Sequence, residues 1–125
     1  MSLPYRFMIA GAVFGSLGML LGLYMGPAQD FTLVPVHVHM NLIGWASMML
    51  FGLYYRGDTA SASTALAGWQ FWIALVGMIL FAVGLAFVQL GNHAMEIVLI
   101  VGAVLTFISL LIFLLTLVRA SQRGA

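Results

Sequence analysis

Two of the chain's three histidines stand two residues apart, in the stretch Val36-His37-Val38-His39-Met40-Asn41-Leu42-Ile43-Gly44-Trp45. Neutral imidazole is a ligand for haem iron and also suits zinc and copper. Pro35 directly precedes the stretch, where a helix is expected to start. Successive helical residues are about 100° apart, so His37 and His39 point about 200° apart. One metal ion therefore does not fit between them on an intact helix, whereas two flat cofactors on opposite sides could each take one ring. Asn41 and Gly44 continue the His37 face, and Gly44 with Ser47 is expected to open a short slot there. The His39 side is apolar, with Ile43, Ala46, Leu50 and Leu53. Polar groups at membrane depth are costly and usually functional, which favours a cofactor role for the pair over a merely interfacial one.

His93 and Glu96 form a second constellation, three residues apart at the start of the last apolar segment. An acidic residue is favoured at a helix N-terminus, so capping is their expected role, with His93 a lesser metal-ligand candidate. Asp30 is expected in a solvated loop. The sequence has no glycine-rich phosphate loop, nucleophile elbow or carboxylate pair.

The elements that must carry these residues are membrane helices. Of the 125 residues, 64% are hydrophobic and 6% charged, against about 25% charged in soluble domains. A net charge of +1 suggests no nucleic-acid partner, and the absence of cysteine excludes disulfides, thiolate metal sites and covalent c-type haem attachment. Four apolar segments can each cross about 30 Å of hydrocarbon. They run from Arg6 to Gly26, Val36 to Tyr55, Trp69 to Leu90 and Ala94 to Val118. The first is too long for a signal-peptide core and lacks an evident cleavage motif. Short connections favour antiparallel neighbours, so the expected fold is all-α: one integral-membrane, antiparallel four-helix bundle over residues 1–125.

Arg6, Arg56, Arg119 and Arg123 fall at the two ends and in the middle loop, which share one side of a four-pass chain. That side reads as cytoplasmic, with both termini there, in a bacterial inner membrane. Tyr5, Tyr54, Tyr55, Trp69 and Trp72 are expected near that boundary as an aromatic belt. The first segment carries Gly11, Gly15, Gly18, Gly22 and Gly26, spaced 4, 3, 4 and 4 apart. Such a stripe serves close helix packing, or would let a flat macrocycle lie against the backbone. Gly77, Gly84 and Gly91 read as packing positions, and the scattered methionines as gap-fillers.

The string His37-Val38-His39-Met40-Asn41-Leu42, with Gly44, resembles the His-x-His segment of a core helix in subunit I of haem-copper oxidases and related nitric-oxide reductases. In that family the two histidines ligate two different haems, and the subunit is three arcs of four helices. The chain is similar in size and layout to one arc. It departs from the family in lacking a third histidine on this helix, a tyrosine next to a histidine and an evident proton-channel carboxylate. The resemblance implies a haem b protein serving in electron transfer, or in binding or sensing a small gas, in which His37 of one protomer and His39 of the next hold haem iron in a homotrimer. The alternative is a small metal-binding transporter using His37, His39, His93 and Glu96 on the outer face, or an accessory subunit.

Overall fold

A computed structural model describes residues 1–124; Ala125, the last residue of the expected domain, lies outside the described residues. Helix α1 spans Leu3–Ala28 and α2 spans Val34–Gly57. A short α3 covers Thr59–Ala62 and α4 covers Ala65–Gln89. A 3₁₀ turn at His93–Met95 leads into α5, Glu96–Arg123. Helices α1, α2, α4 and α5 are each long and apolar enough to cross a membrane. The chain is thus an all-α membrane protein with four spanning helices, as its composition requires.

Local chemistry sets the ends. Helix α1 starts at Leu3, with Pro4 in the first turn, where a missing amide hydrogen removes no helical bond. It runs past Gly26 and Pro27 and ends on Gln29, which adopts a left-handed φ of 51°. Helix α4 starts a turn before Trp69 because Thr64 caps it, its hydroxyl accepting from the Ala67 amide at 3.2 Å. Gly91 reverses the chain at φ 95°, a conformation that L side chains rarely adopt.

The helices pack as two antiparallel hairpins joined through glycine. A Cβ at Gly22 would meet the His37 ring, one at Gly18 would meet Asn41, one at Gly15 would meet Trp45, and one at Gly11 would meet Met48. Paired numbers rise on one helix as they fall on the other, so the α1 stripe is the groove that receives α2. Between α4 and α5 the approach is closer still. A Cβ at Gly102 would lie 2.2 Å from the Phe81 backbone nitrogen, and one at Gly84 would lie 2.4 Å from that of Leu99.

Helix α2 departs from a regular α-helix. Its first part, Val34–His39, and its last, Met48–Gly57, are α-helical, but Met40–Ser47 is π-helical. The Ser47 hydroxyl donates to the Leu42 carbonyl, five residues back, at 3.0 Å. The wider turn carries Trp45 onto the α1 face beside Gly15 and tucks Gly44 under Phe14. Both histidines precede this segment, so their angular relation is that of an α-helix.

The best-packed core lies at the arginine-bearing end. Phe7 and Tyr55 are fully buried, with stacked rings 5.6 Å apart, and Phe71 meets Phe7 edge-on at 5.2 Å. Phe113 of α5 closes on Phe51 at 4.6 Å. Tyr55 is therefore a core residue and no part of a lipid-facing belt. Its hydroxyl donates to Gln70 Oε1, a partner that lipid could not supply. Tyr5, Trp69 and Trp72 are exposed, as belt residues are.

Candidate functional site

His37 is half-buried where α2 lies on α1. Because Gly22 has no side chain, the imidazole reaches past it to the α1 backbone, with Nδ1 2.6 Å from the Gly18 carbonyl oxygen. A carbonyl can only accept, so Nδ1 carries a proton, and in the neutral ring Nε2 keeps its lone pair. His39 reaches the same state by a different route. Its Nδ1 donates to the Pro35 carbonyl, one turn back in its own helix, also at 2.6 Å. Its ring packs near Phe81 of α4, with centroids 5.0 Å apart. The two rings thus leave α2 towards different helices. An imidazole held by Nδ1–H on a backbone carbonyl, with Nε2 free, is prepared to ligate a metal through Nε2.

Asn41 serves the His37 turn. Its amide nitrogen donates to the His37 carbonyl at 2.8 Å, and its side chain lies over Gly18. The same nitrogen is 3.4 Å from His37 Nδ1, but with that ring nitrogen already donating to Gly18 the pair makes no bond. The expected slot beside Gly44 is filled, since a Cβ there would fall 2.7 Å from Phe14 Cβ. Gly11, Gly15, Gly18 and Gly22 of the α1 stripe are likewise covered by α2, leaving no room for a macrocycle against the backbone there. Open apolar space lies on the other side of α2. A cavity of about 260 Å³ begins one turn below His39, bounded by Ile43, Ser47, Phe51, Ala74, Thr106 and Leu110.

His93 and Glu96 are both exposed, and neither makes a side-chain capping bond. Glu96 still places its charge in the first turn of α5, where the helix dipole favours it. The described residues contain no group of three or more His, Cys, Asp or Glu side chains able to hold a metal ion. His37, His39, His93 and Glu96 are therefore not gathered into one chelating cluster. Haem asks less of a protein, since as little as one imidazole can hold its iron.

At the arginine-bearing end, Asp58 organises a cluster absent from the sequence-based expectations. Its carboxylate caps α3 through the Ser61 amide at 3.1 Å and accepts from Tyr54 at 2.9 Å and Arg123 at 2.8 Å. Hydrogen bonds from the Ser61 hydroxyl and amide, then Tyr54 and the Arg123 charge, hold the Asp58 carboxyl down at about 2. The signal was present as Asp58-Thr59-Ala60-Ser61, an N-cap pattern. At the opposite end, the Thr32 hydroxyl and amide lower the Asp30 carboxyl below its ordinary range.

Among proteins of known function, the chain is similar to cytochrome c oxidase subunit 1 of Rhodobacter capsulatus, with 36% identity over 52 residues. That alignment takes in 37% of this chain and 10% of the relative, so the chain spans about a tenth of the relative's length. No protein-family model and no solved structure matches it. The likeness is thus local, on a chain whose helical, membrane-spanning character stands independently of it.

Proposed function

We propose that the protein binds haem b through His37 and His39, and that it serves in electron transfer or in binding or sensing a small gas. One observation carries this reading: both histidines donate Nδ1–H to backbone carbonyls at 2.6 Å, and neither Nε2 has a hydrogen-bond partner among the described residues. The local likeness to an oxidase subunit supports it. When bound, haem iron would supply one-electron transfer, and a position for a gas only where the gas displaces one imidazole. The residues of the chain do the rest. The Gly18 and Pro35 carbonyls would hold the Nδ1–H tautomers, Asn41 bonds to the His37 carbonyl, and Phe81 packs near the His39 ring. Because the two rings diverge, each iron would need its second imidazole from another helix; His93 is one candidate, and the second histidine of a neighbouring chain is the better one. A homotrimer in which every protomer gives one ligand to each of two haems closes without a further histidine. The arginines support an inner-membrane location with both termini cytoplasmic.

The test is the absorption spectrum of purified protein, oxidised and reduced. Bis-histidine, low-spin haem at one per chain is expected. His37→Ala and His39→Ala should each destroy that coordination at every site, while His93→Ala leaves it intact. Normal low-spin haem in either of the first two variants refutes the shared-ligand arrangement.

A further inference from the structure

The arginine-bearing end contains a second pocket, of about 370 Å³, where the start of α1 meets the end of α2 and α3. Part of its polar lining is unspent, although the Tyr55 hydroxyl is taken by Gln70. Arg56 lies over the Tyr5 ring at 5.8 Å and makes no ion pair among the described residues. The carboxylate at this end, Asp58, is taken up by Arg123 and Ser61, so no negative charge lines the pocket. Ser2 takes the extended N-cap conformation, yet its side chain accepts no amide of α1. In that first turn Pro4 has no N–H and the Arg6 amide returns to the Ser2 carbonyl at 3.2 Å. The Leu3 and Tyr5 amides are left pointing out of the helix end, where the macrodipole favours an anion. The Thr59 hydroxyl is also free of any hydrogen bond among the described residues, while that of Ser63 is occupied by the Ala60 carbonyl. The rest of the wall is apolar, with Leu3, Pro4 and Ala62.

We propose that this pocket, built by Ser2, Leu3, Pro4, Tyr5, Arg56 and Thr59, holds the phosphate of an anionic glycerophospholipid. A guanidinium, hydroxyls and helix-end amides suit a phosphate oxygen face. The apolar wall suits the glycerol and the first carbons of the acyl chains. The pocket lies at the end of membrane-spanning helices, beside exposed Tyr5 and Trp69, at headgroup depth, where lipid phosphate is the abundant anion. The pocket is independent of the haem reading.

The experiment is native mass spectrometry of the full chain in micelles, titrated with dioleoylphosphatidylglycerol or dioleoylphosphatidylcholine. Phosphatidylglycerol should be retained in preference to phosphatidylcholine. Arg56→Gln should weaken that retention about fivefold, the scale of one arginine at an anionic surface. Arg119→Gln, at the same end but outside the pocket, should not. Thr59→Val, an exposed position that leaves the fold unloaded, should weaken it severalfold and carries the test if Arg56→Gln loses its helical circular dichroism. Equal retention of the two lipids, or equal effects of the two arginine variants, overturns the site. Displacement of phosphatidylglycerol by millimolar sn-glycerol 3-phosphate overturns the lipid assignment and leaves a site for free phosphate.

Discussion

Gly22→Ala is the substitution that separates the packing of α1 from its effect on the ligand. A Cβ at Gly22 would fall 2.8 Å from His37 Cε1 and 3.2 Å from Nδ1. The imidazole must swing away, and its 2.6 Å bond to the Gly18 carbonyl is lost or stretched. A lost hydrogen bond costs about 0.5–1.5 kcal/mol. A ring held roughly 30° off its rotamer costs about 0.5–1.5 kcal/mol more. The total, about 1–3 kcal/mol, predicts haem bound roughly 5- to 150-fold more weakly at the His37 position. That range brackets the roughly 10- to 100-fold loss expected when an outer-shell partner of a metal ligand is removed. Alanine is also the better helix former, by about 0.5–1 kcal/mol, so overall stability would mask the effect. The control is therefore Gly26→Ala, where a Cβ meets nothing within 4 Å. The assay is a Soret titration of apoprotein in micelles, paired with ¹⁵N spectra of labelled histidine, which report the tautomer without haem. Equal haem affinity and equal histidine spectra in the two variants would refute the reasoning.

Other expectations follow from single contacts. Gly102→Ala should destabilise the α4–α5 hairpin by about 1–3 kcal/mol, because its Cβ would strike the Phe81 backbone, and thermal melts in micelles against Gly26→Ala check this. Asp58 titrates at about 2 in the folded chain against an ordinary 3.8, so the folded state binds this proton less readily. Its stabilising effect is complete above the ordinary value and is lost as pH falls through about 2. The melting temperature should drop across that acid window, and Asp58→Asn should flatten the drop without abolishing it, since Asp30 is also depressed. For the proposed orientation, a cysteine placed near Asp30 should react with an impermeant reagent from outside and one in the α2–α4 connection should not; the reverse pattern would invert the topology.

The four spans, their antiparallel order and the divergence of His37 and His39 were legible because each follows from one period and one length. Hydrophobic runs fix the spans, and the α-helical step fixes the angle between two residues in the same turn. What could not be read depends on where a neighbour falls. Nothing in a 3.6-residue period announces the π segment at Met40–Ser47, so Trp45 was not assigned to the α1 face and Gly44 was expected beside an open slot. Tyr55 looked like a boundary aromatic by position along the chain, and only the approach of Gln70 and Phe7 makes it core. Gly102 had no partner in any periodic pattern, since what it accommodates is the backbone of α4. The Asp58 cap is legible in its own residue order, Asp58-Thr59-Ala60-Ser61, whereas its contact with Arg123, 65 residues on, is not.

The two histidines reach the same tautomer by unequal means, and that inequality ties assembly to chemistry. His39 uses the carbonyl of Pro35 in its own first turn, so its preparation needs only that α2 be helical there. His37 uses a carbonyl nineteen residues away, which it can reach only when α1 lies in register and Gly22 leaves the gap. Under the proposed haem coordination, Gly18 and Gly22 would thus orient the His37 ligand as well as form the hairpin's seam. Local unfolding or slippage between α1 and α2 removes the His37 orientation first and leaves that of His39 standing. In a ring where each haem needs one histidine of each kind, every site would then depend on a correctly packed α1–α2 hairpin. A protomer with a slipped hairpin would lose its prepared His37 ligand and keep only that of His39.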